Sequence, residues 1–247
     1  MLNSSNIHIM CNSLLKVSKL LRRDFNEIEK LQNSKQGTHK FANNSLINVK
    51  ESIYQDLSKA RPDGNIRFIE NENNQNNFKK NYEFIVNPIS GINNYKNGIS
   101  YFALSIALII ENETAAAVIY DPIRDEMFCA EKGKGAFINN LRMRVSTIKN
   151  TEHAYFVLKD HSLLNELIKI KLELSIIKNI RVFGSCCLDL ANLASGKIDC
   201  YVTQNIKDDK YTAGKLFIRE SGGIDISIES PGLDIITNNN LSENFKN

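Results

Sequence analysis

Tryptophan is absent from this chain of 247 residues, and proline occurs only four times. So few prolines exclude a polyproline or collagen-like rod, and the scattered glycines, 12 in all, show no three-residue period. Long apolar runs are missing as well. The longest, Phe102–Ile110, falls far short of the roughly 20 residues that a membrane-spanning helix needs. Met1–Met10 has no basic region followed by an apolar one, so no secretory signal is expected. Five cysteines, Cys11, Cys129, Cys186, Cys187 and Cys200, form no CxxC pair, which argues against a zinc site and for a reduced, cytoplasmic setting. Neither charge dominates: 31 basic residues against 28 acidic leave +3, too mild a balance for an electrostatic nucleic-acid footprint. What is abundant is Asn, Ile and Lys, in a chain that is 42% hydrophobic and 24% charged, the profile of an ordinary globular protein with a sizeable core.

Apolar residues recur at helical spacing through Leu14, Val17, Leu21, Phe25 and Ile28, and again through Leu46, Val49, Ile53 and Leu57. A polar stretch with Gly37 is expected to separate these two helices. Arg61-Pro62-Asp63-Gly64 reads as a turn, because Pro presets φ and Gly accepts a positive φ. Ile66–Ile69 is a short strand, and the Asn-rich 70–82 a surface loop. From residue 84 the pattern is a strand meander to Ile138. Within it Asp121-Pro122-Ile123-Arg124-Asp125 is a turn between hairpin strands. After about residue 150, strands and helices alternate: strands at Ala154–Leu158, Asp199–Val202 and Ile224–Ile228, helices near Leu163–Leu174, Ser185–Ala194 and Thr212–Glu220. The tail after Thr237 is expected to fray. Two halves follow, an N-terminal α+β half over 1–145 and a C-terminal α/β half over 146–247, joined in one compact unit.

Several stretches carry a family likeness. They are Phe84-Ile85-Val86-Asn87-Pro88-Ile89-Ser90-Gly91, Gly133-Lys134-Gly135-Ala136-Phe137-Ile138-Asn139, Gly184-Ser185-Cys186-Cys187-Leu188-Asp189-Leu190-Ala191 with Ala194-Ser195-Gly196-Lys197-Ile198-Asp199, and Thr212-Ala213-Gly214 followed by Glu220-Ser221-Gly222-Gly223. In order and spacing the chain resembles the inositol monophosphatase family, including its bacterial extragenic suppressor branch, from about residue 10 to 240. The resemblance implies a layered αβαβα sandwich, an α/β (α+β) fold. It also implies a homodimer, Mg²⁺ ions held by carboxylates, and a metal-bound water that attacks a small phosphate ester. For the bacterial branch it implies contacts with the transcription machinery and ribosomal RNA maturation.

The carboxylates are where the sequence departs. Mg²⁺ is a hard cation that sheds water reluctantly and wants clustered anionic oxygens. The family's Asp-Pro-Ile-Asp-Gly-Thr is here Asn87-Pro88-Ile89-Ser90-Gly91-Ile92. Its Gly-Glu-Glu matches Glu70-Asn71-Glu72, which puts Asn71 at the first metal-binding Glu. Counting back from Glu220, the Trp-Asp pair falls on Asp209-Lys210. A further family Asp aligns with Asn44, and a Glu that contacts substrate hydroxyls aligns with Thr203. An ammonium at Lys210 would repel a bound cation by about 4 kcal/mol per unit charge at 4 Å, for an effective dielectric near 20.

The expectation is therefore an inositol-monophosphatase-like protein without a metal cofactor and without Mg²⁺-dependent phosphatase activity, acting by binding a protein or RNA partner. Gly91, Ile92 and Lys210 could bind an anion at the old phosphate position; alternatively Lys210 pairs with Glu72 or Asp209. The competing reading is an active phosphatase on a small phosphate monoester that uses Asp208, Asp209, Glu70 or Glu72 in altered geometry. Cys186 and Cys187 read as core or interface, Ser90 lacks a base, and His8, His39, His153 and His161 read as solvated terminal or loop residues.

Overall fold

The computed structural model describes residues 4–30, 35–69, 82–169, 177–230 and 232–245. Helix α1 (Ser5–Lys30) turns one stripe inward, Ile7, Met10, Leu14, Val17, Leu21, Phe25 and Ile28, at alternating three- and four-residue steps. Helix α2 (Lys35–Ala60) buries Ala42, Val49, Ile53 and Leu57 in the same way. It starts at Lys35, so Gly37 lies inside it rather than between the helices, and His8 and His39 are helical, not loop, residues. Pro62 ends α2: Arg61 N–H closes on Leu57 O at 2.8 Å, and Gly64 N–H on Arg61 O at 3.0 Å.

Strand β1 (Asn65–Phe68) lies parallel to β2 (Tyr82–Ser90). After the short helix α3 (Ile92–Lys96), an antiparallel run follows: β3 (Ala103–Ile110), β4 (Glu113–Asp121), β5 (Glu126–Glu131), β6 (Gly135–Ile138) and β7 (Leu141–Arg142). The seven strands sit in sequence order, so the expected meander is present and β1 adds a parallel edge. Asp121–Asp125 is the expected turn, held by Asp121 Oδ1, which accepts from Ile123 N–H at 2.9 Å and Arg124 N–H at 3.0 Å.

The second sheet contains β8 (Tyr155–Leu158), β9 (Asn179–Arg181), β10 (Cys200–Thr203), β11 (Gly223–Ile228) and β12 (Leu233–Asn238), in the order β11-β12-β10-β8-β9. Strand β8 pairs in parallel with β9 and β10, while β12 runs antiparallel to β10 and β11. Its helices are α4 (Leu163–Lys169), α5 (Cys186–Ala194), α6 (Thr212–Ser221) and the single turn α7 (Asn239–Ser242). From Asn238 to Phe245 the tail is packed rather than frayed. Asn238 completes β12 and caps α7 through Leu241 N–H, and Leu241 and Phe245 are buried. Leu233-Asp234-Ile235-Ile236 is a central strand that sequence reading missed.

Three apolar clusters order the layers. Helices α1 and α2 cover one face of the first sheet. Helices α5 and α6 fill the space between the sheets, where Ala107, Ile119 and Phe128 meet Leu188, Leu216 and Phe217, and then Tyr201 and Ile236. Residues of α4 (Leu163, Leu167) and the C-terminal turns (Leu241, Phe245) pack on the outer face of the second sheet. The result is the expected αβαβα sandwich.

The central layer depends on a close approach of α5 and α6. A Cβ at Gly214 would lie 2.2 Å from Leu190 Cδ1 and 2.8 Å from Leu190 Cβ, separations that only the absence of a side chain permits. Gly214→Ala should therefore force the two helices apart and cost about 2 kcal/mol, near 6 °C in Tm. Thermal unfolding will measure it. Combined with Leu190→Ala, the loss should be smaller than the sum of the two single losses, since both act on one contact.

Candidate functional site

The strand-end motif and α5 meet where the two sheets converge. Strand β2 loses its regular register between Asn87 and Ser90, and Gly91 follows with φ of +92°. A Cβ at Gly91 would stand 2.9 Å from Tyr101 O and 3.1 Å from Ser185 Cβ, so glycine lets the start of α5 come this close. Ser90 and Ser185 lock the junction. Ser185 Oγ donates to Ser90 O at 3.0 Å and lies 3.1 Å from Ser90 Oγ, which also accepts Cys187 N–H at 3.2 Å.

The two adjacent thiols form one wall. Asn87 Nδ2 donates to Cys187 Sγ at 3.7 Å, Ser105 Oγ lies 3.4 Å from the same sulfur, and Ser90 Oγ lies 3.6 Å from Cys186 Sγ. Both thiols reach Lys210 O, at 3.7 and 4.0 Å. Hydrogen bonds from Cys186, Ser105, Ser90 and Asn87 pull Cys187 below the usual thiol range, against its burial, and the shared proton pushes Cys186 up. Sequence reading assigned these cysteines to core or interface. Cys187 is indeed buried, but the two side chains face Asn87 and Ser90.

Asn87, Ser90, Gly91 and the backbone carbonyl of Lys210 thus converge, while other expected positions lie elsewhere. Asn71, Glu70 and Glu72 fall outside the described residues. Asn44 is exposed on α2, next to Ser45, whose hydroxyl turns inward to Asp24 Oδ2 at 2.8 Å. Thr203 is fully buried, its hydroxyl 2.6 Å from Tyr211 Oη, so it faces the packed interior rather than a substrate. Ile92 begins α3 but packs its side chain into the first core. Helix α3 spans only Ile92–Lys96.

The acids near Lys210 are paired. Lys210 Nζ meets Asp208 Oδ2 at 3.0 Å, a partner that sequence reading did not assign to it, and lies over the Tyr211 ring. Asp209, the partner expected for Lys210, is bonded by Arg67, which also holds Glu83 at 3.1 Å. These two carboxylates raise the Arg67 pKa further, against partial desolvation. Among the described residues, no group of three His, Cys, Asp or Glu side chains stands close enough to hold a metal ion.

Behind this wall lies a buried network that sequence reading missed. Tyr101 Oη donates to Asp189 Oδ1 at 2.8 Å and accepts from Asn192 Nδ2 at 3.1 Å. Glu220 has a further bracing role, accepting from Gly133 N–H and Gly135 N–H at 2.9 Å each and tying the end of α6 to the β5–β6 turn. A strand end that breaks register at a Pro-Ile pair, abuts a Gly-Ser helix start, and faces a helix whose acidic end closes on a Gly-Lys-Gly turn is a specific constellation.

The inositol monophosphatase family model matches residues 3–245. The chain belongs to the inositol monophosphatase family. An inositol-1-monophosphatase of Mesorhizobium japonicum is 31% identical, the alignment covering 98% of this chain and 92% of that protein. The Nus factor SuhB of Escherichia coli K12 is 28% identical over 88% of this chain and 83% of its own length. The crystal structure of the extragenic suppressor protein SuhB from Bartonella henselae superposes with a TM-score of 0.80 at 29% identity, covering 99% of this chain and 100% of that one.

Burial pushes Asp189 up to about 8, the Tyr101 hydrogen bond opposing only part of that shift. A carboxyl whose folded pKa is raised contributes stability that is complete below its unfolded pKa, near 4, and is lost as pH rises through 8. Relative to Asp189→Asn, the wild-type Tm should therefore fall between pH 5 and 8, by at most about 4 °C per pH unit, and level off above pH 8. Parallel melts of the two proteins across that range will measure it.

Proposed function

We propose that this protein keeps the scaffold of its family without Mg²⁺-dependent hydrolysis and works by binding a partner in the transcription machinery, protein or RNA, as a cytoplasmic homodimer. The observation that carries the reading is the pair Asn87 and Ser90. Both stand at the end of β2 with neutral side chains already engaged by Ser185 and the α5 thiols. Mg²⁺ binding needs anionic oxygens to offset the loss of hydration, and an amide, a hydroxyl and two soft thiols supply none. Among the described residues, those at the end of β2 do not fit the ion, and the Lys210 ammonium stands in an ion pair with Asp208 rather than leaving that carboxylate free for a metal. The Nus factor SuhB relatives support a transcription setting.

The inositol-1-monophosphatases at 31–33% identity support the competing reading, hydrolysis of a small phosphate monoester by displaced acids. Against it, Asp208 and Asp209 are already neutralised by Lys210 and Arg67. Releasing Asp208 would leave the Lys210 ammonium unpaired, and releasing Asp209 would cost Arg67 one of its two carboxylate partners.

Calorimetric titration of chelator-stripped protein with Mg²⁺ and Mn²⁺, with and without inositol 1-phosphate, should give no binding heat up to millimolar ion. Micromolar to millimolar binding strengthened by the phosphate would overturn the reading and direct attention to Asp208 and Asp209. The combined variant Asn87→Asp, Ser90→Asp, Lys210→Asp should gain at least tenfold in Mg²⁺ affinity, because three substitutions make the site four charge units more negative.

A further inference from the structure

Cys11 and Cys129 lie 118 positions apart in sequence, yet their sulfurs are 3.5 Å apart. One sits on α1 and the other on β5, so a contact between them crosses from the covering helix to the sheet. Both are half-buried, unlike Cys187 and Cys200, and both open onto a cavity of about 290 Å³ lined also by Ile7, His8, Met127 and Phe137. That cavity is the route by which a small molecule would approach the pair. Nothing in the family's hydrolytic chemistry or in the proposed binding role uses this pair.

The geometry points to Cys11 and Cys129 as a dithiol site that reacts with a low-molecular-weight disulfide and closes into a reversible bond between α1 and the first sheet. A hydrogen bond from the Cys11 thiol lowers the pKa of Cys129 from the ordinary thiol value, against its burial, and so favours Cys129 as the attacking sulfur. In the first step the Cys129 thiolate attacks one sulfur of the reagent, a mixed disulfide forms and one thiolate leaves. In the second step Cys11 loses its proton and attacks the Cys129 sulfur, and the second reagent thiol departs. Two protein thiols are oxidised, and one reagent disulfide is reduced to two thiols. The new bond would form between sulfurs that are already in contact at 3.5 Å. It also cross-links a long loop of the unfolded chain, which raises stability.

The test uses the full chain, folded, with an excess of glutathione disulfide. Digestion and mass spectrometry should find a Cys11–Cys129 cross-linked peptide lighter by two hydrogen atoms, with Cys187 and Cys200 still free. Thermal unfolding should show a rise in Tm of about 10 °C, reversed by dithiothreitol. Cys11→Ser should trap the mixed disulfide on Cys129, and neither Cys11→Ser nor Cys129→Ser should show the rise. Circular dichroism will establish that both variants are folded. Persistence of both thiols, a wild-type mixed disulfide that never resolves, a bond between other cysteines, or a bond without a rise in Tm would each overturn the assignment.

Discussion

The contact on which the rest of this molecule depends is the wedge of α5 between the two sheets. Its first turn is pinned to the end of β2 by Ser185 and Ser90, and its body lies so close to α6 that only Gly214 fits opposite Leu190. Each sheet buries one face against this helical layer, and Leu188, Leu216 and Phe217 meet residues of both. An apolar side chain fully buried in such a layer contributes roughly 1.5–3 kcal/mol. The same wedge aims the thiols and the β2 end at each other, so the packing that holds the fold also builds the site.

The coupling does not depend on a charged group at the end of β2. The scaffold is held by serine hydroxyls, backbone amides, glycine and apolar packing, none of which involves a carboxylate at the end of β2. A cluster of unshielded carboxylates would be costly without a counterion. Neutral Asn87 and Ser90 join hydrogen bonds instead, with no ion to balance. Farther out, the remaining acids are matched by cations: Asp208 by Lys210, and Asp209 and Glu83 by Arg67.

Much of the architecture is legible along the chain. The stripe of α1, the Pro62 stop, the meander from β2 to β6 and the alternation after residue 150 all express short-range rules of period and turn chemistry. The misses have physical causes. Gly37 reads as a break, yet α2 runs through it because its buried residues hold the helix from outside. The end of the chain reads as a polar tail, yet Leu241 and Phe245 find apolar surface on the second sheet.

That positions 87 and 90 carry the neutral residues Asn and Ser is written in the sequence, together with the motifs that locate them. What those side chains touch is not. Asn87 meets Cys187 across 100 positions and Arg67 meets Asp209 across 142, while Cys11 lies beside Cys129 across 118. Local periodicity determines which segments are helices and strands, because it acts through neighbours three, four or two residues away. The pairing of charges and thiols is decided only when the sheets close on α5 and α6, because distance in space, and not distance along the chain, sets the energy of those contacts.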